Sequence, residues 1–230
     1  MTSDQVSVET PDGPMPTHLW LPEAGAGPGL VLLQEIFGVS RYIARRGQDL
    51  ADLGYVVIAP EIFWRVGVSR IEEGPESLEK AMGVAQEVDW EAAAQDSVAT
   101  LEALRQRPEV SGGVGAIGFC FGGGLAFNVA AVSEPDVLVS YYGSAIGDLL
   151  HLAPQVTAPS LHHFGLADSY VEPSTIERIR SAVARPAVVF ETYEGADHAF
   201  DNADFHLYDE AASRLAWART TDWLADHLPA

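Results

Sequence analysis

Hydrophobic and polar positions along this chain switch repeatedly between a period of two and a period near 3.6. Residues 6–10 alternate, Asp12-Gly13 brings turn chemistry, and residues 17–21 return, which predicts an antiparallel hairpin. Residues 29–36 (GLVLLQEI) are almost continuously apolar, the pattern of a strand covered on both faces. Ile43, Gly47, Leu50 and Leu53 then recur at helical spacing, with Gly54 placed to end the helix. Residues 55–60 (YVVIAP) are a second buried-strand run. Residues 61–86 carry weak periodicity with Gly67, Gly74 and Pro75, predicting a loop and one short helix.

The alternation continues to the end of the chain. Asp89 can cap a helix that turns Ala94, Val98, Leu101 and Leu104 inward and stops at Pro108. Residues 114–119 read as a strand running straight into a glycine-rich helix from Gly122. Residues 137–142, 161–164 and 187–193 are further strands. Ser174-Thr175-Ile176-Glu177 has the form of a capping box opening a helix to about Ala184, and Trp217, Thr221, Leu224 and Leu228 mark a closing helix. Strands alternating with helices predict one α/β domain over residues 1–230. It has three layers, with a mostly parallel central sheet, helices on both faces and the hairpin at the N-terminal edge. In such sheets, chemistry collects at the carboxyl ends of the strands.

Composition narrows the function. The 230 residues include 13 basic and 33 acidic side chains, a formal charge of −20, and Lys80 is the only lysine. So acidic a surface repels nucleic-acid phosphates and anionic lipid headgroups, so neither is expected as a partner. No apolar run reaches the roughly 18 residues of a membrane span, and the start (MTSDQVSVETPDG) lacks the basic and apolar regions of a secretory signal. A single cysteine allows no internal disulfide, which fits a cytoplasmic location.

That cysteine lies in Gly118-Phe119-Cys120-Phe121-Gly122, a glycine–any–nucleophile–any–glycine pattern at a predicted strand-to-helix junction. A turn this sharp strains the middle residue, needs small neighbours, and aims helix N-terminal amides at the sulfur. Read alone, the residue is a small buried hydrophobe; at this junction it is the candidate nucleophile. In α/β hydrolases the acid and then the histidine follow the nucleophile along the chain. Of the downstream histidines (151, 162, 163, 198, 206 and 227), His198 sits in a loop directly after the last strand. His162 and His163 lie within a strand, and His227 is expected at the solvent. Asp168, at the end of the penultimate strand, is the candidate orienting acid; Asp197 is too close in sequence to reach the far side of the His198 ring. Asp197, Asp201, Asp204, His198 and His206 match no metal-ligand spacing, so neither metal nor cofactor is expected.

Four segments, QEIFG at 34–38, GFCFGG at 118–123, HFGLAD at 163–168 and GADHAF at 195–200, resemble the dienelactone hydrolase (carboxymethylenebutenolidase) family of the α/β-hydrolase fold. The resemblance implies a Cys120-Asp168-His198 triad, with Glu35 touching the cysteine and holding or accepting its proton. It also implies an oxyanion hole made by the amides of Ile36 and Phe121. The implied activity is hydrolysis of a small ester, lactone or thioester through an acyl-enzyme. The arginines with which lactone-degrading members bind a substrate carboxylate have no clear counterpart. Ala199 to Asn202 contain none, and residues 76–88 offer only Lys80. Phe37, Trp64 and Arg65 are the candidate substrate contacts, with Tyr141 and Arg70 beside them. The alternatives are a binding or thiol-sensing protein on the same fold, or a structural subunit. Oligomeric state is left open.

Overall fold

The computed structural model describes residues 3–74 and 76–230; Pro75, read above as a loop residue, lies outside them, as do Met1 and Thr2. Among the described residues the elements run β1 (Asp4–Thr10), β2 (Gly13–Trp20), β3 (Gly27–Leu33), α1 (Arg41–Asp52), β4 (Val56–Pro60), α2 (Leu78–Glu87), α3 (Trp90–Arg105) and β5 (Val110–Phe119). They continue with α4 (Phe121–Ser133), β6 (Leu138–Tyr141), β7 (Ser160–Gly165), α5 (Pro173–Val183), β8 (Val188–Tyr193) and α6 (Glu210–His227). The strands form one sheet in the order β1-β2-β4-β3-β5-β6-β7-β8. β2 pairs antiparallel with both β1 and β4, and every later pairing is parallel.

The unbroken apolar runs follow from this layering. Along β3, Leu30 and Leu32 pack on one face with Ile43 and Leu50 of α1 and Trp223 and Leu224 of α6. Val31 and Leu33 pack on the other with Leu101 of α3, Leu125 of α4 and Ile179 of α5. With neither face wet, nothing selects polar residues at alternate positions. Each such side chain contributes on the order of 1.5–3 kcal/mol by leaving water, which anchors the strand ends that carry the site. No described helix is long and apolar enough to cross a membrane.

Local signals differ in how well they survive folding. Asp89 caps α3 by accepting from Glu91 N and Ala92 N, and Pro173 rather than the Ser174 capping box opens α5, with Glu172 at the cap and no side-chain cap bond. Leu53, expected to face inward, is 44% exposed just past the end of α1. In α6 the buried face is Ala212, Ser213, Ala216, Thr220, Trp223 and Leu224. Trp217 and Thr221 stand beside that face, Trp217 being covered by the Arg46 guanidinium 4.0 Å above its ring.

Candidate active site

Cys120 follows β5 and precedes α4 with φ 53° and ψ −115°, a conformation costly for a residue with a Cβ. Its two glycines are required by contact. A Cβ on Gly118 would stand 2.0 Å from the Gly122 carbonyl oxygen, and one on Gly122 would stand 2.2 Å from that of Leu33. The chain therefore turns against the backbone of its neighbour and thrusts the sulfur over the sheet edge.

The loops after the last two strands bring the partners. His198 Nε2 lies 3.1 Å from Cys120 Sγ. His198 Nδ1 donates to Asp168 Oδ2 at 2.8 Å, and Asp168 Oδ1 accepts from Tyr170 N and Val171 N. Asp197 does not approach the ring; it accepts from the backbone N–H of His198 and from Ser169. Burial by itself disfavours the imidazolium of His198. The negative sulfur of Cys120 and the hydrogen bond to Asp168 outweigh it and raise the pKa to about 10. Sulfur, imidazole and carboxylate, predicted from three remote segments, meet in one row.

Glu35 follows β3 and lines the same cavity, and its hydrogen bonds go to residues other than the cysteine. Oε1 accepts from Tyr142 Oη at 3.0 Å and Oε2 from Asn202 Nδ2 at 2.7 Å, while the Cys120 sulfur is turned to His198. Burial pushes this carboxyl up to about 7, against the hydrogen bonds from Asn202 and Tyr142 and the charge of His198, with Glu73 adding to the rise. Behind it, Tyr42 Oη lies 3.3 Å from Tyr142 Oη and donates to Asp201 Oδ2, which Arg46 grips through two nitrogens. Asp201 and Asp204, weighed above as metal ligands, instead face arginines: Arg46 holds the first, and Arg41 and Arg45 the second.

The cavity over Cys120 has a volume of about 330 Å³. Ile36 and Phe121 are both on its wall, and among the described residues their backbone N–H groups have no protein acceptor. Phe37 is on its wall. Trp64 and Arg65 are not: the Trp64 indole N–H and the Arg65 guanidinium are turned to Asp96, Arg65 also reaching Asp12. Tyr141 is fully buried, exchanging a hydrogen bond with Thr220. The α2 side chains Leu78, Met82 and Gln86, and Tyr170 from the loop after β7, complete the wall and carried no sequence signal. Tyr142 was readable as a strand-end residue, one place beyond the tyrosine singled out. Asn202 had only its nearness to His198.

A sequence profile of the dienelactone hydrolase family matches residues 15–228. Carboxymethylenebutenolidase 1 of Cupriavidus pinatubonensis is 30% identical over 228 residues, covering 98% of this chain and 97% of the relative. A carboxymethylenebutenolidase of Pseudomonas sp. is 35% identical over 211 residues, covering 90% of this chain and 88% of its own. Among solved structures, one from Klebsiella pneumoniae assigned as a dienelactone hydrolase superposes with a TM-score of 0.86 at 26% identity, covering 97% of this chain and 98% of that one. A match of this extent leaves no large segment unaccounted for: the chain belongs to the dienelactone hydrolase family, a family of carboxylic ester hydrolases.

Proposed function

We propose that this protein hydrolyses a small-molecule ester or lactone through a thioester formed on Cys120, with His198 and Asp168 as its partners. The supporting observation is the unbroken line of contact from Cys120 Sγ to His198 Nε2, and from His198 Nδ1 to Asp168.

Four steps balance the reaction. With its proton on His198, the Cys120 thiolate adds to the substrate carbonyl. The oxygen that takes up the charge sits between the Ile36 and Phe121 amides, whose N–H groups no protein acceptor competes for. Collapse of the adduct breaks the bond to the leaving oxygen, which takes the proton from His198 and leaves an acyl-thioester. Water, deprotonated by His198, then attacks that thioester, releasing the carboxylic acid and restoring the thiolate. Asp168 holds the ring with Nε2 toward the sulfur throughout. A thiolate is a better leaving group than an alkoxide, so the adduct collapses forward only when the departing oxygen is activated, as in aryl esters and enol lactones. Glu35 would then keep a protonatable carboxyl in the same cavity; the contact of His198 Nε2 with the sulfur supports His198 rather than Glu35 as the holder of the thiol proton.

Family membership favours this reading over a thiol sensor on the same fold. Its test is the hydrolysis of short p-nitrophenyl esters by wild type and Cys120→Ala. The variant is expected to lose at least about 1,000-fold in kcat/KM; equal rates for the two proteins would refute the nucleophile.

A further inference from the structure

The wall of the Cys120 cavity is mostly apolar, with Phe37, Leu78, Met82, Ala85, Phe121 and Phe205 covering it. Its polar groups are Glu35, Gln86, Ser144, Tyr170 and His198, and among the described residues that line it there is no lysine or arginine. The His198 ring is already shared between Asp168 and the Cys120 sulfur. Glu35 is the carboxyl on the wall itself, and Glu73 is close enough to add its negative charge to that region.

The cations around the site are held elsewhere. Arg65 is bound by Asp12 and Asp96, and Arg46 by Asp201 and Asp49. Lys80 projects into a separate cleft beside Glu72 and Glu76. Arg70 bridges to Gly38 through its backbone, is exposed, and is not among the residues that line the cavity. A carboxylate entering this cavity would lose its water and find a hydrocarbon wall and a like charge, with no counter-ion to replace the hydration. A neutral group meets no such penalty, and Gln86, Ser144 and Tyr170 can still orient a carbonyl or ether oxygen. At about 330 Å³ the space is at the small end of ligand cavities.

Resting on the reading of Cys120 as nucleophile, we propose that this site selects small neutral esters and lactones with apolar flanks and rejects substrates that carry an ionised carboxylate. Selection is by exclusion, through an unpaired charge in the wrong substrate, rather than by a dedicated contact to the right one.

Two substrates with one leaving group test it: mono-p-nitrophenyl adipate, which bears a free carboxylate, and its methyl ester, of nearly the same size without the charge. They are compared at neutral pH with Cys120→Ala supplying the background rate. Wild type is expected to prefer the methyl ester by at least about tenfold in kcat/KM, and Met82→Arg, which places a cation on the wall, to shrink that preference. If the wild-type preference is smaller than about tenfold, or reversed, while both substrates are turned over above background, the substrate class proposed here is wrong and the nucleophile stands. If neither substrate is turned over above background, the reading of the site fails and takes this inference with it.

Discussion

Glu35 is a carboxyl group held almost entirely out of water on the floor of the cavity, and its protonation links the site to the stability of the molecule. Burial raises it from 4.5 to about 7. Between those values the unfolded chain has already released the proton that the folded chain retains, so folding loses stability as pH rises through that window. Above about 7 the penalty is complete, and below about 4.5 it is absent. Glu35→Gln removes the ionisation, so it should stabilise the protein above neutral pH by up to about 3 kcal/mol and leave it little changed in mild acid. Denaturant unfolding of both proteins at the two pH extremes checks this; parallel pH dependences would contradict it. Residues of this kind divide sharply in how far sequence exposes them. Cys120, Asp168 and His198 each sit just past a strand end, so local pattern finds them. Tyr142 and Asn202 reach Glu35 across 107 and 167 residues of sequence, and nothing near them announces the contact.

Among the elements, the junction of β5 and α4 holds a strained residue, Cys120, between two tightly packed glycines. Gly122→Ala would place a methyl group 2.2 Å from the Leu33 carbonyl oxygen, a backbone atom that cannot swing aside. The helix must then shift away from β3 and carry the Cys120 sulfur out of reach of His198. The expected result is a loss of at least about 3 kcal/mol of stability with activity falling further than stability explains. Thermal unfolding and ester hydrolysis measured on one sample test this, and a variant with native melting and rate would contradict it.

Elements were legible wherever one physical cause dominated: β3 and β4 by burial on both faces, α3 by its cap. They were misread where polar side chains do the packing. In α6, Thr220 takes hydrogen bonds with Tyr141 and His163, and Ser213 donates to Asp201, so hydroxyls rather than the apolar Trp217 face the sheet. His162 and His163 likewise are both fully buried on β7, one among Phe127 and Phe190 and the other between Tyr193 and Thr220. His227 is exposed, as its position near the chain end suggested.

For the whole molecule, a charge of −20 means that the folded state gathers mutually repelling carboxylates on one surface. Only part of them are paired with arginine, as Asp201 and Asp204 are. Added salt screens the rest, so the melting temperature should climb as sodium chloride is raised toward roughly 1 M, where the Debye length falls to about 3 Å. A scanning calorimetry series checks this, and a melting temperature that drops or stays level over that range would contradict it. Charge also excluded whole classes of partner at the outset, although it said nothing of the cavity, whose wall comes from α2, the start of α4 and the loops after β3, β6, β7 and β8, which only the folded chain brings together.

The central claim is that the acyl group of the substrate resides on one sulfur during turnover. Rapid quenching of the enzyme with a slowly released p-nitrophenyl ester, followed by peptide mass spectrometry, reads this directly. The account predicts a mass increase equal to one acyl group on the peptide containing Cys120, accumulating when His198→Ala slows its release. An acyl group found on any other residue, or steady turnover with Cys120 unmodified throughout, would contradict it.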